Sequence, residues 1–241
     1  MQQSERNAGP PPRRPQRLWM GLLALGLAAI IAGAALIVGP LYGVWHRGQN
    51  DTHALQGWEH GPSSLAGPAS ATPDASVAGS TSCGSSSPTD YALLSFSAPA
   101  AYHYAGVSGD GTWDLLNNRS MVHYHGTPDP GQQGNVVIAF HREPDYQHID
   151  QLREGDLVTI QDRACHTFVY KVTGRWDLAP AKVTQLAPTA GHDLTLVTCD
   201  PWWQDYNRLV WRATLVQPAP GGVAQAAAGA PGTVANPSFS R

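Results

Sequence analysis

Three residues whose side chains could carry out acyl transfer stand at predicted strand ends. Cys199 directly follows the apolar run at residues 194–198, His141 directly follows a second run at residues 135–140, and Arg208 begins the next strand. A thiol becomes a strong nucleophile where a neighbouring cation or donor favours its thiolate, and an imidazole can exchange protons near neutral pH. If the fold brings these strand ends together, their chemistry predicts a Cys-His-Arg site.

Each of the three residues also has a structural interpretation. Free cysteine is among the most buried residue types and often serves as a small core side chain. His141, followed by Arg142 and Glu143, is typical of a surface loop, and Arg208 is typical of a cation at a sheet edge. The residue types alone leave both interpretations open.

The elements that must position these residues are short strands. Seven brief runs rich in β-branched or aromatic residues predict them, at residues 91–96, 135–140, 156–162, 166–175, 182–185, 193–198 and 208–216. One short helix is predicted at residues 145–152, between Pro144 and Gly155. This pattern predicts an all-β fold, a mainly antiparallel barrel or sandwich with one or two short helices.

The N-terminal region predicts a single transmembrane helix. Residues 18–38 are twenty-one residues without a charge, enough for a helix to cross about 30 Å of hydrocarbon. Arginines outnumber acidic residues before this run, so the positive-inside rule predicts a cytoplasmic N-terminus and an extracellular catalytic domain. A cleaved signal peptide with Ala32-Gly33-Ala34 as its cleavage site is the alternative, but the apolar run is longer than such signals have.

Composition divides the rest of the chain. The predicted parts are a cytoplasmic tail (1–17), a membrane anchor (18–39), a flexible Ser/Gly/Pro/Ala-rich extracellular spacer (40–90), a catalytic domain (91–216) and a disordered tail (217–241). A net charge of −3 gives no basic face for phosphates, so no nucleic-acid partner is expected. Of the three cysteines, Cys83 and Cys165 could pair outside the cell, which would leave Cys199 unpaired.

Four segments carry motifs in a recognisable order. Residues 195–199 read TLVTC, which matches the TLxTC signature of the sortase family, membrane-anchored transpeptidases of Gram-positive-type cell surfaces. Residues 124–128 (YHGTP), 130–142 (PGQQGNVVIAFHR) and 149–156 (IDQLREGD) are similar to its HYPGT, PG..GN..IAGHR and LDxLxxGD segments. The spacing from Cys199 to Arg208 is similar to that of class E sortases. The resemblance covers residues 91–216 and implies a closed sortase-type β-barrel.

The chain departs from the family pattern in two places. Phe140 stands where the family usually has glycine before the histidine, and the first strands, around residues 93–105, lack the usual Ile-Pro-type opening. Both departures concern substrate selectivity rather than the three catalytic candidates.

The resemblance implies a cysteine transpeptidase without a cofactor. Cys199 would attack a Thr-Gly bond in a C-terminal LAxTG- or LPxTG-like sorting signal and form a thioacyl-enzyme, His141 would act as general acid and base, and Arg208 would stabilise the oxyanion. Surface proteins with the signal would be substrates, and a peptidoglycan precursor or a pilin lysine would be the amine acceptor. Three residues are candidates for substrate binding: Tyr124, Thr198 and Trp202.

The same residues allow three other interpretations: a metal site, another type of cysteine enzyme, and a domain without activity. His123 and His125 could bind zinc with His141, but no further ligand falls at a supporting spacing, so no metal is expected. A papain-like peptidase has its cysteine before its histidine, and an L,D-transpeptidase needs a Ser-x-Gly-Cys motif, so the order and motifs here disfavour both. An inactive sortase-like domain that binds a surface partner is the non-enzymatic alternative.

Overall fold

The computed structural model describes residues 16–59 and 87–218, with side chains for residues 19–59 and 87–217. The chain divides into two compact units, residues 1–42 and residues 43–241. Helix α1, Gln16–Glu59, contributes residues to both units. Its N-terminal part is apolar and exposed, and by length and composition α1 is able to cross a membrane.

The second unit is a closed barrel of eight strands in the order β1-β2-β3-β4-β7-β8-β6-β5. Six of the eight strand pairings are antiparallel, and β2–β3 and β4–β7 are parallel. The strands are β1 (Asp90–Phe96), β2 (Ala105–Gly111), β3 (Met121–Tyr124), β4 (Gly134–Phe140), β5 (Leu157–Asp162), β6 (Thr167–Leu178), β7 (His192–Asp200) and β8 (Asn207–Pro218). The predicted all-β, mainly antiparallel barrel is confirmed.

Burial of both faces of β4 explains why residues 136–140, VVIAF, are continuously apolar. One face, with Ile138 and Phe140, packs in the main core of the barrel. The other face, with Val137 and Ala139, lies under a second cluster that includes Trp113. A strand covered on both sides needs no polar alternation. Packing on both faces also fixes the position of β4, and with it the position of His141, which follows the strand.

Two strands were not predicted. β2 has the sequence AGVSGDG, in which small residues give little alternating pattern, and β3 has only four residues, MVHY. Tertiary contacts rather than intrinsic preference therefore determine these strands. The predicted strand at residues 182–185 is wrong, because that segment follows a 3₁₀ turn at Pro180–Lys182 without forming a strand.

The predicted helix at residues 145–152 is also wrong. This segment consists of turns and a three-residue 3₁₀ helix, Ile149–Gln151. The main-chain N–H of His148 bonds to the Tyr104 hydroxyl at 3.1 Å, and Leu152 is fully buried. These contacts with the rest of the barrel take the place of a continuous helical ladder.

The N-terminal helix extends further than the predicted anchor. Residues 40–59 were predicted to be part of a flexible spacer, but they are helical. Ala54 and Trp58 are buried with Val107 of β2, and the Trp58 indole N–H donates to Gln161 Oε1 at 2.9 Å. This apolar and hydrogen-bonded face explains the difference from the prediction. Residues 60–86 and 219–241 lie outside the described residues, and β8 extends to Pro218, past the predicted end of the domain.

Candidate active site

Strand pairing brings Cys199 and Arg208 together. They are directly opposite each other in the antiparallel pair β7–β8. Opposed residues of an antiparallel pair project to the same face, with their Cβ atoms about 5 Å apart. β7 is buried until Thr198 and becomes partly exposed at Cys199, so the strand presents the sulfur at the edge of the core.

The parallel pair β4–β7 brings His141 to the same level. Ala139 pairs with Val197, and two further steps along both strands lead to His141 and Cys199. Two hydrogen bonds hold the end of β4: the Thr198 hydroxyl donates to the Phe140 carbonyl at 2.6 Å, and the His141 N–H donates to the Ser120 carbonyl at 2.8 Å. The backbone that carries the imidazole is therefore fixed on two sides.

Cys199, His141 and Arg208 line one pocket with a volume of about 120 Å³. The other lining residues are mostly apolar: Trp113, Leu116, Ala139, Phe140, Val197 and Thr198. The thiol is free, and Cys199 is partly exposed. A peptide bond entering this pocket would thus meet a sulfur, an imidazole and a guanidinium among apolar walls.

A buried cation fastens the two strand ends that carry the sulfur and the imidazole. Arg142, whose side chain is 4% exposed, pairs with Asp200 and, at 3.1 Å, with Asp150. It also donates to the carbonyl of Gln147 at 2.7 Å. Arg142 is next to His141 and Asp200 is next to Cys199, so this pair ties together the neighbours of both candidates.

The electrostatics around Cys199 favour a protonated thiol in the absence of substrate. Burial is the main factor that raises the pKa of the thiol above its usual value. The positive charge of Arg208 is the next largest influence and lowers it, Glu143 and Asp205 raise it, and Arg142 lowers it. The net pKa is raised, and forming the nucleophile therefore requires a proton acceptor or a further gain from bound substrate.

His141 is held between two acceptors. Its Nε2 lies 3.0 Å from the Leu116 carbonyl oxygen, and its Nδ1 lies 3.4 Å from Glu143 Oε1. Arg208 is also anchored, because its Nη1 donates to the carbonyls of Asp205 at 2.9 Å and Asn207 at 3.0 Å. A backbone carbonyl therefore contacts each of these two side chains, Leu116 for His141 and Asp205 and Asn207 for Arg208.

The three predicted substrate-binding residues occupy different positions. Thr198 lines the pocket, but it is buried and its hydroxyl bonds to the Phe140 carbonyl. Tyr124 lies behind the wall, with its ring centroid 4.4 Å from that of Trp113. Trp202 is 41% exposed and packs against Trp203 in the loop between Cys199 and Arg208. The structure brings one of the three, Thr198, to the pocket itself.

Phe140 takes part in the core rather than closing the pocket. It is 3% exposed, and its ring contacts Phe96, Tyr146 and Trp211 with centroids 5.6–6.3 Å apart. The aromatic ring of Phe140 is therefore accommodated inside the barrel, while the residue still contributes to one wall of the cleft.

His123, His125 and Cys165 make contacts outside the pocket. His123 and His125 both contact the carboxylate of Asp110, at 2.8 and 2.9 Å. Within residues 16–59 and 87–218, no group of three or more His, Cys, Asp or Glu side chains is arranged to hold a metal ion. Cys165 takes part in a disulfide bond, and its predicted partner, Cys83, lies outside the described residues.

Sequence reasoning missed four residues of the site. Trp113 and Leu116 come from a 3₁₀ helix, Trp113–Asn117, that forms one wall and supplies the carbonyl facing His141. The compact apolar run WDLL after a glycine-rich strand is the signal that could have indicated this wall. Arg142 and Glu143 were interpreted as surface-loop residues, and nothing local in the sequence reveals their partners.

The fold and the pocket define a closed β-barrel that presents a cysteine, a histidine and an arginine in one cleft. The family model described as the sortase domain matches residues 98–216. Residues 98–216, just under half of the chain, are therefore similar to the sortase domain.

Solved structures that are similar to this chain are sortases of several classes, so no one class is singled out. Sortase E from Streptomyces avermitilis is 28% identical, with 55% of this chain and 91% of that chain covered and a TM-score of 0.47. A sortase D5 transpeptidase from Clostridium perfringens is 26% identical, with 53% and 79% covered and a TM-score of 0.47. Sortase A from Corynebacterium diphtheriae is 24% identical, with 56% and 73% covered and a TM-score of 0.48. A comparison with curated proteins gives no match.

Proposed function

We propose that this protein is a membrane-anchored cysteine transpeptidase of the sortase type. It would cleave an LAxTG- or LPxTG-like sorting signal between threonine and glycine and transfer the protein to an amine. The observation that carries the proposal is one pocket that contains Cys199, His141 and Arg208 within a domain that matches the sortase family.

In the first half-reaction, the Cys199 sulfur attacks the threonine carbonyl carbon and the carbonyl electrons move onto oxygen. Arg208, directly across the β7–β8 pair, would stabilise that oxyanion. Collapse of the intermediate forms the thioester and breaks the C–N bond, and His141 gives a proton to the departing glycine amine. Cys199 has a raised pKa, so its proton would pass to neutral His141 as the sulfur attacks, and this is the proton that His141 then gives to the amine.

In the second half-reaction, the incoming amine attacks the thioester and loses a proton to His141. The sulfur then leaves, and a new amide bond joins the carried protein to the acceptor. The acceptor would be a peptidoglycan precursor or a pilin lysine. Water competes with the amine for the thioester. Apolar pocket walls would limit the access of water and so favour transfer over hydrolysis.

The N-terminal helix supports a role at the membrane. Its apolar part is long enough to span a bilayer, and arginines precede it. We propose that residues 18–39 anchor the protein with its N-terminus in the cytoplasm and its barrel outside the cell.

Tyr124 and Trp202 would influence selectivity indirectly. Tyr124 supports Trp113, which lines the pocket, so it would affect the choice between alanine and proline in the signal through that wall. Trp202, exposed in the loop that follows Cys199, would contact the acceptor side.

The direct test uses the full-length protein in detergent with LAxTG and LPxTG peptides and an amine acceptor. Mass spectrometry should detect ligated product and a covalent adduct at Cys199, and Cys199→Ala should remove both. Cleavage at unrelated peptide bonds would indicate a cysteine peptidase. Absence of turnover, together with partner binding that persists in Cys199→Ala, would indicate an inactive sortase-like binding module.

A further inference from the structure

Glu143, a residue without an assigned role, lies against the imidazole of the pocket. Its Oε1 is 3.4 Å from His141 Nδ1, and its side chain is 16% exposed. The other ring nitrogen, Nε2, faces the Leu116 carbonyl oxygen at 3.0 Å. A neutral imidazole has one N–H, whereas the imidazolium has two and can donate to both acceptors. The surroundings of the ring thus suit its protonated form.

Glu143 is held in turn by the N-terminal helix. Arg47 Nη2 lies 3.7 Å from Glu143 Oε1, and the Arg47 side chain is 12% exposed. Burial alone would raise the pKa of Glu143, but the contact with His141, a backbone hydrogen bond and the charges of His141 and Arg47 together hold it below its usual value. Glu143 is therefore a carboxylate when His141 needs a counterion.

The same helix also supports the backbone beside His141. The carboxylate of Asp51 accepts the Ser120 N–H at 3.0 Å. The Ser120 carbonyl, on the other side of that residue, accepts the His141 N–H at 2.8 Å. Arg47 therefore connects to the His141 side chain through Glu143, and Asp51 connects to the His141 main chain through Ser120.

We infer that Glu143 is a positioning residue that orients His141 and stabilises its protonated form, and that Arg47 of α1 holds Glu143 in place. This inference rests on the proposed function for its catalytic consequence, since the imidazolium is the acid that releases the glycine amine. It assigns residues 43–59 to the active unit rather than to a spacer. The charges that act on Glu143 are those of His141 and Arg47, and Arg47 also interacts with the carboxylates of Asp51 and Asp145. Glu143 in turn acts on Cys199, as do Arg208, Asp205 and Arg142.

The test is a pH titration of the His141 ring nitrogens by ¹⁵N NMR in the full-length protein, together with kcat and KM for the sorting peptide. Glu143→Gln retains size and removes the charge. It should lower the pH at which the ring loses its proton and lower kcat about 10-fold to 100-fold with little change in KM. Arg47→Met should produce smaller changes in the same directions, and Arg47→Lys should restore most of the loss.

Trp58→Phe is the matched control on the same helix. It removes the hydrogen bond to Gln161 and retains the apolar packing, so it should leave both the titration and kcat unchanged. A Glu143→Gln protein with the wild-type titration would overturn the inference. So would a Trp58→Phe protein that behaves like Arg47→Met, because general loosening of the helix would then explain the effect. If the wild type forms no ligated product, the proposed function fails, and the titration still decides the role of Glu143.

Discussion

The histidine of the pocket, His141, differs from the histidine beside the parallel pair β2–β3, His123, in how its ring is held. His123 is 3% exposed, its Nδ1 is 2.8 Å from Asp110, and its ring stacks on Tyr91 with centroids 4.3 Å apart. His141 is 24% exposed and lies 3.4 Å from Glu143. Both rings have a carboxylate neighbour, so the carboxylate does not distinguish a structural histidine from a reactive one.

The two histidines differ in how far their rings are enclosed and in which groups lie next to them. Thr127 Oγ1 and the Pro128 carbonyl oxygen surround His123 Nε2 at 3.0 and 3.2 Å, so both nitrogens of this ring have short, enclosed contacts. His141 opens onto a cleft that it shares with a free thiol. A proton can leave or reach His141 without breaking the core, whereas His123 connects two strands.

The largest expected effect comes from Arg208→Lys in the pocket. Lysine retains the positive charge but loses the planar donors of the guanidinium. We expect kcat for peptide transfer to fall about 100-fold to 1000-fold, which corresponds to about 3–4 kcal/mol of transition-state stabilisation. Steady-state kinetics with the sorting peptide would measure it.

Arg212→Lys is the control for this change on the same strand. Arg212 donates to the Gln185 carbonyl at 2.5 Å and pairs with Asp193 at 3.5 Å, among structural partners. Its replacement should leave kcat within about twofold of the wild type. An equal decrease in kcat in the two variants would mean that any such change in β8 lowers activity, and it would contradict a role for Arg208 in stabilising the oxyanion.

Arg142→Met should reduce stability, because it removes the buried cation between the pocket's two strand ends. Asp200 would remain without its partner, and breaking such a pair costs about 3 kcal/mol where the carboxylates are partly exposed. The thermal unfolding midpoint would decrease, and kcat would decrease as the spacing between the two strands loosens. The double variant Arg142→Met/Asp200→Asn should recover part of the stability. If it does not, Arg142 stabilises the protein by something other than its ion pair with Asp200.

His123→Leu tests the other side of the comparison. Removing the ring takes away its contacts with Asp110, the Thr127 hydroxyl and the Pro128 carbonyl, and we expect a loss of about 2 kcal/mol in unfolding free energy. Its kcat at a temperature where the variant is folded should equal that of the wild type. A decrease in kcat without a decrease in stability would place His123 in the chemistry and contradict its structural role.

The sequence allowed the barrel and its three pocket residues to be predicted, since runs of β-branched residues and the order of motifs are local signals. It did not allow the pairing of Glu143 with Arg47 to be predicted, because these two residues are 96 residues apart in the chain. The spacer prediction failed at residues 40–59 for a related reason: Trp58 stabilises the helix by packing on the barrel, and composition alone does not show that packing. Contacts between distant segments determine both features.

The smallest expected effect concerns the pH dependence of Cys199 alkylation by iodoacetamide. Burial raises the pKa of this thiol, so its reaction rate should reach half its maximum at a higher pH than that of an exposed cysteine, and fall about tenfold per pH unit below that point. Arg208 opposes the rise, so Arg208→Met should move the midpoint upward. Glu143 and Asp205 favour the rise, so Asp205→Asn should move it downward. Asp110→Asn, beside His123, should leave the midpoint unchanged, because Asp110 is not among the charges that act on this thiol; a shift there would mean that the two histidine regions are electrostatically linked.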